Sequence, residues 1–363
     1  MNIFIDGLGV SLELLDSQSY RNMEVIPIRM HNSKNQEFLT LKRGMDAGVV
    51  EITECEMSTV GTVLSRNNAN IPLLLIDGDE ILGAKQNRIM NRSLIIPPKT
   101  SLAVSVSCTE RGRWHYESPR YTRDFDDFSR CSSDYSDDRK LRFNRSVHTA
   151  DFATRSAKSR DLFENRDCQS TVWNSIDKLE NRTSFKSRTS ALSDNYEHLK
   201  PRHEEYLSHF KIEFGQVGAV FIIDGQIKGL ELFYSPSVYQ DYHEKIFRSY
   251  IMEAIVSELL HGYNINEING FDSRFRNLFV SRVAVERFLR EIRYSEFRRS
   301  ENKGRGRHIK FANNYGTGAA LINNGELVHM AYFNSSNSKY ESGRGSRGRT
   351  RRYGSFREFS DNY

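Results

Sequence analysis

The chain has 363 residues, is 38% hydrophobic and 27% charged, and carries a formal net charge of +5. That composition supports the core of one large or two ordinary domains, and the four cysteines (Cys55, Cys108, Cys131, Cys168) lack metal or redox spacing, which excludes a disulfide scaffold or zinc module. Much of the positive charge lies in the last 25 residues, from Lys339 to Tyr363, where seven basic residues face three acidic ones, so a basic nucleic-acid-binding face on the body is excluded too.

Met1 to Val10 lacks the basic start of a signal peptide, and no apolar run approaches ~18 residues. The expectation is a cytoplasmic protein without a membrane span. The first 65 residues read as short strands. Val25-Ile26-Pro27-Ile28 has the look of an edge strand, because proline cannot donate to a ladder.

From Ile71 to Trp114 the pattern sharpens. Leu73 to Ile76 is a continuous apolar run, as in a strand buried on both faces, and Asp77-Gly78 suggests a two-residue hairpin turn. The return strand begins with Ile81 and Leu82, then becomes polar through Lys85, Gln86, Asn87, Arg88, Asn91 and Arg92. Ser101 to Glu110 alternates, with Leu102, Val104, Val106 and Cys108 on one face. Residues 1–117 therefore form a β-rich unit.

Composition changes at Ser118. Between Arg120 and Arg145, seven basic residues and six aspartates mix with serine and tyrosine, which predicts a charged flexible insertion over 118–160. An α+β unit follows over 161–335. Helical spacing runs through Leu162, Val172, Trp173, Ile176 and Leu179, and a second helix is expected from His198 to His209. His198, His203 and His209 lack zinc spacing. Two further strand–turn–strand devices turn at Asp224-Gly225 and Asn324-Gly325. Between them lie two amphipathic helices, one opened by Ser235-Pro236, the other expected over roughly 275–298. Residues 336–363 form a basic Gly/Arg tail suited to salt-dependent polyanion contacts. Its letters match GxGxxG over 343–348, without the strand and helix that a dinucleotide fingerprint needs.

The chemistry concentrates at Lys85-Gln86-Asn87-Arg88. Four consecutive polar positions break strand alternation, as at a cleft where amides read a ribose or base edge and arginine grips a phosphate. A charge-protected sheet edge is the competing reading. Glu80 begins the polar strand, and Glu110, Arg113 and Trp114 gather at the end of the next one. Cys108 alternates with core residues and reads as a small hydrophobe rather than a nucleophile. No metal cluster, phosphate loop or ordered catalytic triad appears.

LLLIDGDEILGAKQNRIMN and VSVSCTERGRW, with TVWNSIDKLENR, VGAVFIIDGQIKGLELFYSP and GAALINNGELVHMAYF, resemble the ARG-and-rhodanese-phosphatase-superfamily-associated protein domain family over most of residues 1–335. The resemblance implies association with ADP-ribosylglycohydrolase-type proteins, and hence NAD or ADP-ribose metabolism. Its densest motifs carry Glu80, Lys85, Gln86, Asn87, Arg88, Glu110, Arg113 and Trp114.

Together these features predict an α+β protein. An antiparallel β-rich N-terminal unit packs with a helix-containing C-terminal unit. The expected function is binding or sequestration of an ADP-ribose-like or NAD-derived nucleotide, without dedicated catalytic machinery, cofactor or metal. One alternative is a hydrolase or transferase of ADP-ribosyl bonds with Glu80 or Glu110 as acid or base. A second is nucleic-acid interaction through the tail.

Overall fold

The computed structural model describes residues 2–5, 10–31, 33, 37–55, 61–113, 143–261, 280–300 and 303–334. Trp114, most of the charged insertion and the basic tail with its GxGxxG letters lie outside the described residues.

The first half supplies β1 (Asn2–Ile5), β2 (Val10–Leu14), β3 (Gln18–Tyr20), β4 (Met23–Met30), β5 (Leu39–Thr40), α1 (Leu41–Asp46), β6 (Val50–Glu54) and β7 (Thr62–Asn67). Next come β8 (Leu73–Leu75), β9 (Asp79–Gly83), β10 (Arg88–Met90), β11 (Leu94–Ile96), β12 (Thr100–Cys108) and β13 (Phe143–Thr149). Four helices follow: α2 (Phe152–Phe163), α3 (Gln169–Thr183), α4 (Leu192–His198) and α5 (Lys200–Leu207). The chain continues through β14 (Gln216–Ile223), β15 (Gln226–Phe233), α6 (Pro236–His261) and α7 (Arg282–Glu291). It closes with β16 (Glu296–Ser300), β17 (Arg307–Ala312), β18 (Gly316–Asn323) and β19 (Glu326–Asn334).

The architecture is mixed α+β, with β-rich N-terminal sheets and a helix-containing C-terminal region. A ten-stranded sheet runs β1-β2-β4-β14-β15-β19-β18-β17-β16, with β3 beside β4. A six-stranded sheet runs β13-β9-β10-β12-β7-β6, and a three-stranded one runs β11-β8-β5. Among the described pairs only β5–β8 is parallel.

The large sheet is covered on both faces, which is why its central strands are continuous apolar runs. Ala219, Phe221 and Ile223 of β14, with Phe233 and Phe333, pack under α6. Val220 and Ile222 point the other way, with Leu232, Met330 and Tyr332, onto Val285, Phe288 and Leu289 of α7. The smaller sheets close their own core around Ile52, Val63, Leu75, Ile81, Met90 and Val104. Their opposite face offers Leu74, Ile76, Ile89 and Ile95 to the core under α6. The two halves of the chain therefore share one interior.

Several local expectations change. Asp224-Gly225 (φ 51° and 69°) and Asn324-Gly325 (φ 53° and 78°) have the two positive φ values of a tight hairpin and join β14 to β15 and β18 to β19. Asp77-Gly78 makes no hairpin, because β8 pairs with β11 and β5 while β9 pairs with β10 and β13. Only Gly78 has positive φ (82°), in a turn closed by Asp79 N–H donating to Ile76 O at 3.2 Å. The turn moves the chain from one sheet to the next.

Pro27 lies in an interior strand rather than an edge. Within a strand a residue's N and C=O face the same side, and Pro27 O accepts from Leu15 N–H at 2.9 Å where the partner changes from β2 to β3. The missing donor falls at that break in the ladder.

The insertion ends earlier than residue 160. Ser146 pairs with Ile81, which places β13 in the six-stranded sheet, and Asp151 caps α2 by accepting from Thr154 N–H at 3.0 Å. The helical pattern expected through residues 161–180 is split between α2 and α3, and the one from His198 splits into α4 and α5 with Pro201 in the first turn of α5. The last helix is also shorter than its pattern. Ser281 caps α7, a 3-10 turn spans Ile292–Tyr294, and residues 296–300 pair with β17 as a strand. Among the described residues, no helix is long and apolar enough to cross a membrane.

Candidate functional site

Apart from Trp114, which lies outside the described residues, the residues singled out from sequence gather at the ends of β9, β10 and β12, mostly engaged with one another. Glu80, fully buried, accepts from Thr109 Oγ1 at 2.5 Å and meets His148 Nε2. Glu110 accepts from Asn87 N–H at 3.2 Å and pairs with Arg113 at 2.8 Å. Arg113 also donates to Asn87 Oδ1 at 3.1 Å and to the carbonyls of Ala84 and Gly83. Arg88 donates to Gln86 Oε1 at 2.8 Å and to Cys108 Sγ, and sits 3.5 Å from Glu54. Its strand lies between β9 and β12, so the sheet-edge reading does not apply. Lys85 is half-buried in the turn before them. Burial pushes the Cys108 thiol up, in keeping with a core residue.

A cavity lies elsewhere, where the large sheet, the smaller sheets and α2 meet. Asp77, Asn91, Arg92, Ser93, His308 and His329 line it, with small apolar residues of β18 and β19. Its enclosed part is about 20 Å³, and its empty space including the mouth is about 350 Å³. The enclosed part holds about one water-sized group.

Three of the lining residues, Asp77, Ser93 and His329, belong to a closed ring of polar groups that the buried Glu231 and Arg155 complete. Asp77 N–H donates to Ser93 Oγ at 2.9 Å, and Ser93 Oγ lies 2.9 Å from His329 Nδ1. His329 Nε2 lies 3.2 Å from Glu231 Oε2, whose other oxygen is 2.7 Å from Arg155 Nη1. Arg155 Nε returns to Asp77 Oδ2 at 3.2 Å. Lys158 Nζ adds a contact of 2.5 Å to Asp77 Oδ1 and donates to Met90 O at 2.7 Å. Burial alone would raise the Asp77 carboxyl, but Lys158 and Arg155 outweigh it and hold it below the ordinary carboxylate range.

Cations collect beside the cavity. Arg298 Nη1 donates to Phe163 O at 3.0 Å and Lys310 Nζ to Leu162 O at 2.6 Å, capping the carbonyl end of α2. The Lys310 ammonium is pushed down by burial and then by Arg92 and Arg298. Burial, with Arg92 beside it, drives His308 down to about 3, and its Nδ1 has no hydrogen-bond partner among the described residues.

His308 belongs to a set. Burial lowers His243 to about 4, and it lowers His203 well below its ordinary value. Unfolded histidines take up protons below ~6.5, whereas these stay neutral in the fold, so unfolding binds protons and stability falls as pH drops from ~6.5. Each contributes at most about 1.4 kcal/mol per pH unit across that window. Urea midpoints at pH 7, 6 and 5 should decline in step, and a flat series would contradict the assignment. His203, stacked on Tyr196 with neither ring nitrogen hydrogen-bonded among the described residues, is the probe. His203→Phe should flatten the decline by about one proton.

A family model described as "ARG and Rhodanese-Phosphatase-superfamily-associated Protein domain" (ARPP-1) matches residues 11–333. The chain belongs to this family. No curated protein and no solved structure matches it. The ARPP-1 match runs from β2 into β19, so both the Glu80–Arg113 cluster and the buried ring fall inside it. Among the described residues, no group of three or more His, Cys, Asp or Glu is arranged to hold a metal.

The ring of this ARPP-1 domain escaped sequence reasoning because its members are single residues in separate segments. Glu231 and His329 are 98 residues apart, and Ser93 and His329 are 236 apart. The available signal was a lone carboxylate in GLELF and a lone imidazole in LVHMAYF, inside strands otherwise buried on both faces. Such groups need buried partners.

Proposed function

We propose that the chain binds a phosphate-bearing nucleotide of the ADP-ribose type, and that the cleft beside Arg92, rather than the Lys85–Arg88 turn, receives it. The observation that carries this reading is Arg92 in the cavity lining, with Arg298 and Lys310 beside it on the carbonyl end of α2. They stand close enough for two arginines to depress a lysine. An anion placed there relieves that repulsion. Arg92 would take the diphosphate, with its planar fork matched to phosphate oxygens. Asn91, Asp77 and the unpartnered Nδ1 of His308 supply hydrogen bonds for ribose hydroxyls or a base edge. Membership in a family associated with ADP-ribosylglycohydrolases supports the ligand class.

A thermal-shift and calorimetric panel of ADP-ribose, NAD, AMP and pyrophosphate tests the proposal. A ligand at ~100 times its dissociation constant adds about 2.7 kcal/mol of stability. Arg92→Ala should weaken binding by about 2–5 kcal/mol, while Lys85→Ala leaves it unchanged. Silence from every nucleotide sinks the proposal. Loss of binding in Lys85→Ala alone moves the ligand to the turn between β9 and β10.

A further inference from the structure

We infer that Ser93 is a nucleophile activated by His329 and Glu231, and that the cavity hydrolyses a short-chain carboxylic ester. The side-chain partners fix the proton positions. Asp77 N–H can only donate, so it uses a lone pair of Ser93 Oγ at 2.9 Å and leaves the hydroxyl proton for His329 Nδ1, also 2.9 Å away. Glu231 Oε2, 3.2 Å from His329 Nε2, acts as an acceptor, because the second oxygen faces the Arg155 guanidinium at 2.7 Å. Nε2 therefore carries the ring proton and Nδ1 offers its lone pair to the serine. Nucleophile, base and orienting carboxylate stand in line, the roles that define a triad whatever the fold or sequence order.

The burial pattern fits these roles. Ser93 and His329, 4% and 2% exposed, reach the cavity lining, and Glu231, with no exposed surface, sits behind them. Tyr250 OH, 3.4 Å from Glu231 Oε1, and Arg155 hold the carboxylate in place. An orienting acid needs fixation, and a nucleophile needs access.

Ser93 Oγ attacks the ester carbonyl while its proton passes to His329 Nδ1. The carbon–oxygen bond to the alcohol breaks, the alcohol leaves with that proton, and the acyl group stays on Ser93. Water then gives a proton to Nδ1 and attacks the acyl carbon, which releases the acid and returns the proton to Ser93. The balance is ester plus water to acid plus alcohol. The small enclosed part, about 20 Å³, favours the shortest acyl groups, with the rest of the ester in the wider mouth. That the alcohol bears phosphate rests on the nucleotide reading above; the serine chemistry does not.

Diisopropyl fluorophosphate and p-nitrophenyl acetate are the probes. The intact protein should gain one phosphoryl adduct, mapped to Ser93 by peptide mass spectrometry. It should also hydrolyse p-nitrophenyl acetate, with at least a 100-fold loss in Ser93→Ala. His329→Gln should label at least 100-fold more slowly, with melting temperature confirming that it is folded. A wild-type protein without an adduct on Ser93 overturns the inference whatever the variants do, as does a folded His329→Gln that labels at the wild-type rate. Nucleotide calorimetry on the same wild-type sample separates the two claims. Labelling without nucleotide binding removes the phosphate-bearing alcohol and keeps the esterase, and binding without labelling does the reverse.

Discussion

Arg155→Ala is expected to remove about 3–5 kcal/mol of stability, the range for breaking a buried charge pair by deleting one partner. Arg155 has no exposed surface and is held between Asp77 at 3.2 Å and Glu231 at 2.7 Å. Its guanidinium also lies over the Phe333 ring, 5.0 Å from the centroid. Deletion leaves two carboxylates facing each other's side of the ring with one fewer cation, and Lys158 reaches only Asp77. Against a typical total of about 5–15 kcal/mol, the loss brings the fold near its limit. Urea denaturation at pH 7 measures it. A change under ~1 kcal/mol would show that the ring is not a coupled unit. Arg155→Lys should recover part of the loss, because one ammonium cannot span both carboxylates.

Arg88→Ala should cost a similar amount, about 3–5 kcal/mol, and for the same reason. Its side chain is 4% exposed, Glu54 beside it is 5% exposed, and Gln86 and Cys108 complete its surroundings. Arg66 on the same sheet sits 3.7 Å from Glu51 but is 52% exposed, and Arg66→Ala should stay within about 0.5 kcal/mol. The double change Arg88→Met with Glu54→Met removes both charges and should be milder than Arg88→Ala alone. If Arg88→Ala melts like wild type, the Glu54 pair contributes nothing to the fold.

The legible parts of the chain were those where local chemistry and final structure agree. Asp224-Gly225 and Asn324-Gly325 turn hairpins because both flanking strands have their partner next in sequence. Ser235-Pro236 opens α6 as a cap and first residue should, with Ser235 O accepting from Tyr239 N–H at 2.9 Å. Asp77-Gly78 carries the same letters, but its strands take distant partners, and no local rule reports that. The polar run Lys85–Arg88 was visible as a break in alternation. Its cause, internal pairing with Glu54, Cys108 and Glu110, depends on strands brought in by the fold. Glu231, His329 and Ser93 meet only when β15, β19 and the loop after β10 converge, so pattern alone kept them apart.

The pairing of β4 with β14 has a consequence for how the protein is made. Val25 lies against Phe221, so a strand near the start of the chain waits for one roughly 200 residues later. At ~5–20 residues per second of synthesis, that interval is about 10–40 s. Throughout it, the flank of β4 that β14 will cover presents unpaired backbone donors and acceptors, the kind of template on which another nascent chain can dock. The six- and three-stranded sheets draw most of their strands from residues 39–108 and are finished much sooner. The waiting strand is the point at which crowded ribosomes, high expression or a missing chaperone would divert this molecule into aggregates.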